Sequence, residues 1–332
     1  MPTDRPIFVV GCPRSGTTML QLMLHAHPRI AIPPENRFVL PAYRRRHELG
    51  DLRVAGNRRE LARWMIGTRQ FADLGLDAQR VIDAVIGAPP TLGSAIGTVF
   101  RLYAERFGKP RWGDKRPAYL RHLPELLRLF PDAQIVNIMR DGRDCVASLK
   151  EAAWCSAGLD DLIDRWARAA DASLRAARRY RPDVYHMVRY EDLVADPATH
   201  LRALCDFLGE EYDAAMVRPQ EVAAVAVPDY KTWHTRTRES VTTSRVRSWE
   251  HRLTPAEVAR CEALFGDRLA RFGYPPATTG VPTPADRVAR ARLAVRDRLG
   301  PMRGVVHDAR AVVRSRRLGP AVAARLTSGQ RL

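Results

Sequence analysis

A glycine-containing loop near the N-terminus joins a β-branched run to a helical pattern, and it constrains the fold more than any other feature. The run Pro6–Val10 predicts a buried strand, and Thr18–Ala26 carries apolar residues at helical spacing. Between them, GCPRSGTT at 11–18 has the spacing of the phosphate-binding loop GxxxxGK[ST], with Thr17 at the position of the lysine. A strand, such a loop and a helix are typical of parallel α/β proteins that bind anions at a helix N-terminus.

Strands and helices alternate along much of the chain. Gln134–Met139 and Val184–Val188 predict buried strands, and Leu159–Tyr180 and Pro197–Leu208 predict helices. The sequence therefore predicts an α/β fold with a parallel sheet flanked by helices. The remaining helical patterns cover 58–107 in three pieces, 117–130 and 255–272.

The C-terminal part is more basic than the rest. Residues 280–332 contain 12 Arg and 3 Asp, so they carry +9 of the net charge of +17. Residues 273–284 are rich in Pro, Thr and Gly, which is typical of a linker, and 285–316 form an amphipathic, Arg-rich helical pattern. We predict a main domain at 1–275, and a linker with a basic helical extension at 276–332.

The charge is carried almost entirely by arginine. Only four of the 54 basic residues are lysines, and the other 50 are arginines, which bind oxyanions through a planar fork. An acidic partner is therefore expected. The basic extension fits peripheral contact with an anionic membrane, contact with nucleic-acid phosphates, or a solvated helix pair; of these we do not expect a nucleic-acid partner. The sequence predicts no oligomeric state.

Composition and cysteine use bound the class of protein. Hydrophobic residues at 45% and charged residues at 27% exclude a disordered or fibrous chain. No apolar run approaches the ~18 residues of a membrane span, and no secretory pattern precedes the first strand. The five cysteines are scattered without a CxxC pair. We expect a cytoplasmic protein, and the Arg and Ala content is typical of a bacterial one.

The glycine loop favours an anionic ligand that is handled without a metal. Its backbone N–H groups and its hydroxyl side chains can surround an anion, but it has no lysine for a β- or γ-phosphate. The strand that ends at Met139 is followed by Arg140 instead of the acidic residue that would support Mg²⁺. The histidines have no metal-ligand spacing. We therefore predict no metal site.

A second anion site follows that strand. Arg140 stands at its end, and Ser148 lies one to two turns into the next helix, so both can reach one phosphate. Two anion sites on the same edge of a sheet indicate a ligand with two separated phosphates. Arg143 is given no role.

These motifs resemble those of the sulfotransferases that use 3′-phosphoadenosine 5′-phosphosulfate (PAPS). VVGCPRSGTTMLQLMLHAHP at 9–28 is particularly similar to the tyrosylprotein sulfotransferases and related bacterial enzymes. The resemblance implies a P-loop-like sulfotransferase fold at 1–275 and PAPS as co-substrate. It implies that the 5′-phosphosulfate is held by Arg14, Ser15, Gly16, Thr17 and Thr18. Arg140 and Ser148 would hold the 3′-phosphate.

The resemblance also implies the catalytic residues. Glu35 stands where the family has its general base, and Lys115 stands where a lysine contacts the leaving oxygen; Arg14 would screen the sulfuryl oxygens. A surface glutamate and a solvated loop lysine are the alternatives for the first two. Tyr190 matches a position near the nucleotide, or is simply a core aromatic residue.

Two departures from the family pattern bear on the site. Ser248 replaces the basic residue that usually precedes Trp249, and Arg247 or Arg245 is the candidate to take its place. Arg116 stands where many relatives have a small residue, so contacts with the acceptor are expected to differ.

The resemblance thus implies transfer of a sulfuryl group from PAPS to a hydroxyl acceptor, and the glycine loop indicates that no metal takes part. The acceptor is a specialised metabolite, a glycolipid, another carbohydrate or a tyrosine, and the motifs do not select among them. The alternatives are a nucleotide kinase with a degenerate P-loop, and a protein that binds anionic lipid or nucleic acid through its basic tail.

Overall fold

A parallel sheet forms the centre of the protein in the computed structural model, which describes residues 4–223, 240–278, 283–288 and 290–291. Within these residues the strands are β1 (Ile7–Gly11), β2 (Ile30–Ala31), β3 (Arg111–Lys115), β4 (Gln134–Met139) and β5 (Tyr185–Arg189). They lie in the order β2-β3-β1-β4-β5, and neighbouring strands pair in parallel. The predicted α/β fold with a parallel sheet is confirmed.

Helices flank the sheet on both faces. The first six helices along the chain are α1 (Thr17–Ala26), α2 (Val39–Arg44), α3 (Ala55–Ile66), α4 (Ala78–Gly87), α5 (Leu92–Glu105) and α6 (Leu123–Leu129). They are followed by α7 (Gly142–Lys150), α8 (Leu159–Arg179), α9 (Tyr190–Ala195), α10 (Pro197–Leu208), α11 (Trp249–Arg252), α12 (Pro255–Phe265) and α13 (Arg268–Arg271). The three helical pieces predicted in 58–107 are α3, α4 and α5.

Two predicted helices are divided in the structure. The pattern at 117–130 forms a 3₁₀ turn at Pro117–Arg121 and then α6, because Pro124 lies at the first positions of a helix and disfavours helical backbone before it. The pattern at 255–272 ends as α12 at Phe265, where Gly266 takes a φ of 63°, and resumes as α13.

The sheet is buried on both faces, as its apolar strands require. Alternate residues of β1 point to opposite sides: Phe8 and Val10 join the core beneath α5, α7 and α8, whereas Ile7 and Val9 join the core beneath α1, α9 and α10. With both faces covered, the loops at the carboxyl ends of the strands are where a ligand can reach the sheet.

β2 and β3 were not predicted from the sequence. β3 reads Arg-Trp-Gly-Asp-Lys, and all five residues are buried. The Arg111 side chain has no exposed surface, and its guanidinium donates to the carbonyls of Arg5 and Leu208, both at 2.8 Å, and to the Glu210 carboxylate at 3.1 Å. A strand this polar can be buried because its charged and polar groups have hydrogen-bond partners there.

The described residues beyond 275 contact the preceding part of the chain. The backbone N–H groups of Ala277 and Thr278 donate to the Glu262 carboxylate at 2.8 and 2.9 Å. Asp286 pairs with Arg260 at 2.7 Å. The domain boundary at 275/276 stays a prediction, and most of the amphipathic pattern at 285–316 lies outside the described residues. Among the described helices, none is long and apolar enough to cross a membrane.

We predict that Arg111→Ala lowers the free energy of unfolding by about 3–5 kcal/mol, because two carbonyls lose this donor and the buried Glu210 carboxylate is left with Arg29 alone. Denaturation by urea measures the change. Arg63→Ala is the matched control, since Arg63 forms an exposed ion pair with Glu60, and it should change the free energy by less than about 1 kcal/mol. Equal stability of the two variants would contradict the assigned role of Arg111.

Candidate active site

The loop between β1 and α1 has an unusual backbone conformation, and it leaves the first N–H groups of the helix accessible. Arg14 and Gly16 have φ values of 72° and 97°, in the left-handed region. The Ser15 hydroxyl and its backbone N–H both donate to the Cys12 carbonyl, at 2.8 and 3.1 Å, which closes the turn. The first N–H groups of α1, at Thr17 and Thr18, have no acceptor within the helix and are available to an anion.

Ser15 thus serves the shape of the loop in this structure. Its side chain is fully buried, and its hydroxyl is engaged within the turn. Gly16 has no room for a side chain, because a Cβ atom there would lie 2.7 Å from the Tyr190 ring. Glycine is needed both for this close approach and for the positive φ.

The first anion loop meets the second one directly. Arg14 Nε donates to Ser148 Oγ at 2.9 Å, and Arg140 Nη1 donates to the Arg14 carbonyl at 3.1 Å. These residues are separated by more than 120 positions in the sequence, and the parallel pairing of β1 with β4 brings them together. Both predicted anion sites therefore belong to one cluster.

Arg140 is the centre of this cluster. Its guanidinium lies 4.4 Å from the centre of the Tyr190 ring, donates to the Arg245 carbonyl at 2.5 Å, and approaches Asp144 at 3.5 Å. The residue is 6% exposed, and its Nε atom has no hydrogen-bond partner in the part of the chain that the structure describes. Tyr190 is a buried core residue that also contacts both anion loops, so its two interpretations are compatible.

The positive charges of the arginine cluster repel one another at Arg14, although, against the effect of burial, Asp144 and Glu191 stabilise the charge of Arg140 and raise its pKa. Burial lowers the pKa of Arg14, and the neighbouring charge of Arg140 lowers it further, followed by smaller effects of Arg252 and Arg245. An anion bound among these guanidinium groups would relieve their mutual repulsion.

A carboxylate and an ammonium group lie beside the first loop. Lys115 Nζ is 3.3 Å from Glu35 Oε2 and 3.4 Å from Thr18 Oγ1, so the lysine lies between the carboxylate and the start of α1. Arg116 Nε is 3.9 Å from the other oxygen of Glu35. The Lys115 side chain is nearly buried, whereas that of Glu35 is 28% exposed. The structure therefore brings together Glu35, Lys115 and the glycine loop.

Asp114 holds this pair in place, and the sequence analysis did not single it out. Its carboxylate accepts hydrogen bonds from Asn36 Nδ2 at 2.7 Å, Tyr119 Oη at 2.6 Å and the Lys115 backbone at 2.8 Å. Asn36 directly follows Glu35, so its hydrogen bond to Asp114 holds the segment that carries Glu35 against β3. Complete burial raises the pKa of Asp114 to about 6, against these hydrogen bonds. The signal that could have revealed it was an aspartate next to the one lysine in the Trp-Gly-Asp-Lys motif.

Arg247 is the one predicted site residue that the structure does not bring to the cluster. Its Nε donates to Glu250 at 2.8 Å, and its side chain is 68% exposed. Arg245 offers its carbonyl to Arg140. Ser248 is buried and donates to Asp144 Oδ1 at 2.8 Å. Arg247 therefore remains a sequence-based prediction that the contacts seen here do not favour.

No group of three His, Cys, Asp or Glu side chains that could hold a metal ion occurs among the described residues.

Comparison with known proteins shows which family this chain matches. The model of the sulfotransferase family matches residues 6–214, which includes both anion loops, Glu35 and Lys115. Protein-tyrosine sulfotransferase 1 of Danio rerio is 29% identical over 290 residues, covering 82% of this chain and 73% of its own length. The human protein of the same name is 28% identical over 286 residues, covering 82% and 70%.

Solved structures share the fold. The sulfotransferase domain of the Synechococcus PCC 7002 olefin synthase has a TM-score of 0.54 at 22% identity, covering 88% of this chain and 95% of its own. The sulfotransferase domain of the curacin biosynthetic pathway has a TM-score of 0.52 at 21% identity, covering 83% and 99%. The resemblance that the motifs indicated is confirmed, and it favours the sulfotransferase interpretation over the kinase one: the chain belongs to the sulfotransferase family.

Proposed function

We propose that the protein transfers a sulfuryl group from PAPS to a hydroxyl acceptor. The observation that carries the proposal is the meeting of two anion loops through Arg14, beside the Glu35–Lys115 pair. A donor with a 5′-phosphosulfate and a 3′-phosphate needs two anion sites joined in one cluster. Transfer of the sulfuryl group to a hydroxyl group needs a base and a cation next to the anion site that holds the phosphosulfate.

The residues present fit this donor. The first N–H groups of α1 have no acceptor within the helix, and the buried Nε of Arg140 has no partner among the described residues. Arg14 and the N–H groups at the start of α1 would hold the 5′-phosphosulfate. Arg140 and Ser148 would hold the 3′-phosphate, and Tyr190 would lie near the nucleotide. Ser15 would contribute through the shape of the loop.

The reaction assigns a separate task to each catalytic residue. Glu35 accepts the proton of the acceptor hydroxyl while the acceptor oxygen forms a bond with sulfur. The bond between sulfur and the bridging oxygen breaks, and its electron pair stays on the phosphate of adenosine 3′,5′-bisphosphate. Lys115 stabilises that oxygen, and Arg14 stabilises the sulfuryl oxygens. We propose that these cations suffice without a metal, because a sulfuryl group carries a single negative charge.

For the acceptor, we propose only the reacting group, which is a hydroxyl. The relatives named above are protein-tyrosine sulfotransferases, which makes a tyrosine one candidate beside metabolite, glycolipid and carbohydrate hydroxyls. Arg116 lies 3.9 Å from Glu35, so we propose that it borders the acceptor.

Calorimetric titration tests the donor. We expect the protein to bind adenosine 3′,5′-bisphosphate in EDTA and to bind ATP·Mg²⁺ far more weakly. Preference for ATP·Mg²⁺ would overturn the proposal in favour of a kinase. Incubation with ³⁵S-labelled PAPS and a panel of phenols, sugars and tyrosyl peptides then identifies acceptors through the labelled product.

We predict that Glu35→Gln lowers the turnover number by at least about 100-fold, because an amide cannot accept the proton. Binding of adenosine 3′,5′-bisphosphate should change by less than about threefold. The rate of ³⁵S transfer to the acceptor found in the panel measures the first effect, and calorimetry measures the second. Glu60→Gln, which alters an exposed glutamate, is the control. Full activity of the Glu35 variant would remove this residue from the role of base.

We predict that Arg140→Ala raises the Kd for adenosine 3′,5′-bisphosphate at least about tenfold, since it removes a charged donor to the 3′-phosphate. The Kd for 5′-AMP should hardly change, because 5′-AMP lacks that phosphate. Titration of both nucleotides against the same variant measures the difference. An equal rise in the Kd of both nucleotides would contradict the assignment of Arg140 to the 3′-phosphate.

A further inference from the structure

Arg252 is a nearly buried arginine at the end of α11 that no sequence motif indicated. Its side chain is 9% exposed. Its Nε and Nη2 donate to the two carboxylate oxygens of Glu151 at 2.7 and 2.5 Å, and its Nη1 donates to Ser248 Oγ at 3.0 Å. This geometry fixes the plane of the guanidinium, because a bidentate pair allows little rotation.

Both partners of Arg252 lie next to the second anion site. Glu151 directly follows α7 and stands three residues after Ser148, so their side chains share one side of the helix end. Ser248 donates to Asp144 Oδ1 at 2.8 Å, and the other oxygen of Asp144 is 3.5 Å from Arg140. Arg252 is therefore linked to Arg140 through two side chains.

Arg252 also adds to the positive charge of the cluster. Its charge contributes to the lowered pKa of Arg14, after burial and the charge of Arg140. Asp144 and Glu151 are the carboxylates in these contacts, and they face three guanidinium groups, those of Arg14, Arg140 and Arg252. Glu191 also acts on Arg140, and Arg245 also acts on Arg14, so four guanidinium groups face three carboxylates and the cluster keeps a net positive charge beside Ser148.

We propose that Arg252 is a further donor-binding residue, whose Nη1 group contacts the 3′-phosphate together with Arg140 and Ser148. It stands four residues after Ser248, one helical turn away, and its side chain extends back to that serine. Arg252 thereby supplies the positive charge that Ser248 does not. This inference rests on the proposed function, because it assumes a nucleotide with a 3′-phosphate.

Arg247, which precedes Ser248 directly, is less suited to this role. Arg247 pairs with Glu250 on the surface, three residues along the chain. Arg245 contributes its backbone carbonyl to Arg140 at 2.5 Å. Arg252 is the arginine whose guanidinium contacts Ser248 itself.

Titration of four proteins with two nucleotides tests the proposal. The proteins are the wild type, Arg252→Ala, Arg247→Ala and Arg268→Ala, and the nucleotides are adenosine 3′,5′-bisphosphate and 5′-AMP. Arg268 is the matched control, because it forms a bidentate pair with Asp171 between α13 and α8. Its loss removes a comparable ion pair away from the anion loops. Thermal unfolding of each variant reports whether it is folded.

We expect Arg252→Ala to raise the Kd for the bisphosphate roughly ten- to hundredfold and to leave the Kd for 5′-AMP within about twofold. Arg252→Lys, which keeps the charge but loses the fork, should give an intermediate value. Arg247→Ala and Arg268→Ala should bind both nucleotides as the wild type does.

Other outcomes would overturn the assignment. If Arg252→Ala raises the Kd for both nucleotides by the same factor, Arg252 has only a structural role. If Arg247→Ala alone loses affinity for the bisphosphate, Arg247 contacts the 3′-phosphate. A wild-type protein that binds the two nucleotides equally would instead refute the proposed function, so the two failures are distinguishable.

Discussion

The parallel pairing of β1 between β3 and β4 is the constraint on which the site depends. Val9 lies beside Lys115 in one pairing, and Gly11 lies beside Ile138 in the other. Because all three strands run in the same direction, the glycine loop, Lys115 and Arg140 emerge at one edge of the sheet. An antiparallel or displaced strand would separate Lys115 from Thr18 and Arg140 from Arg14. The chemistry of the site is thus a consequence of strand register.

The sequence was informative where a single physical requirement dominates. β4 and α8 were predicted because apolar residues follow one period over several turns or a whole strand. β3 was missed because its polar residues are buried by specific partners, and a local pattern cannot indicate partners at Glu210 or Tyr119. The candidate site shows the same division. The two anion loops could be recognised from local spacing, whereas the contact of Glu35 with Lys115 spans 80 residues and depended on a family resemblance.

Arg143 connects the anion site to the chain beyond residue 275. Its guanidinium donates to Asp141 at 2.7 Å and to Glu262 at 2.6 Å, and it lies over the Trp249 ring. Glu262 in turn accepts the backbone N–H groups of Ala277 and Thr278, so one buried cation ties this segment to the turn that starts α7. Since α7 carries Ser148, the residues just after 275 contribute to the scaffold of the second anion site.

Two kinds of arginine can be distinguished in this arginine-rich chain by the partners that the fold provides. Arg111 and Arg143 are buried against carboxylates at 3.1 Å or less, and such pairs are complete without a ligand. Arg14 and Arg140 instead contact a hydroxyl group and backbone carbonyls, with Asp144 at 3.5 Å from Arg140. Asp144 therefore compensates part of the charge of Arg140, whereas the hydroxyl group that Arg14 contacts is neutral and does not compensate its charge. An entering phosphate would therefore gain the attraction of Arg14 and a closer contact with Arg140 than the 3.5 Å contact that Asp144 makes. Arg252 lies between the two kinds, since Glu151 fixes its orientation while its third nitrogen contacts only a serine. That combination gives a positioned donor at the site of a second phosphate.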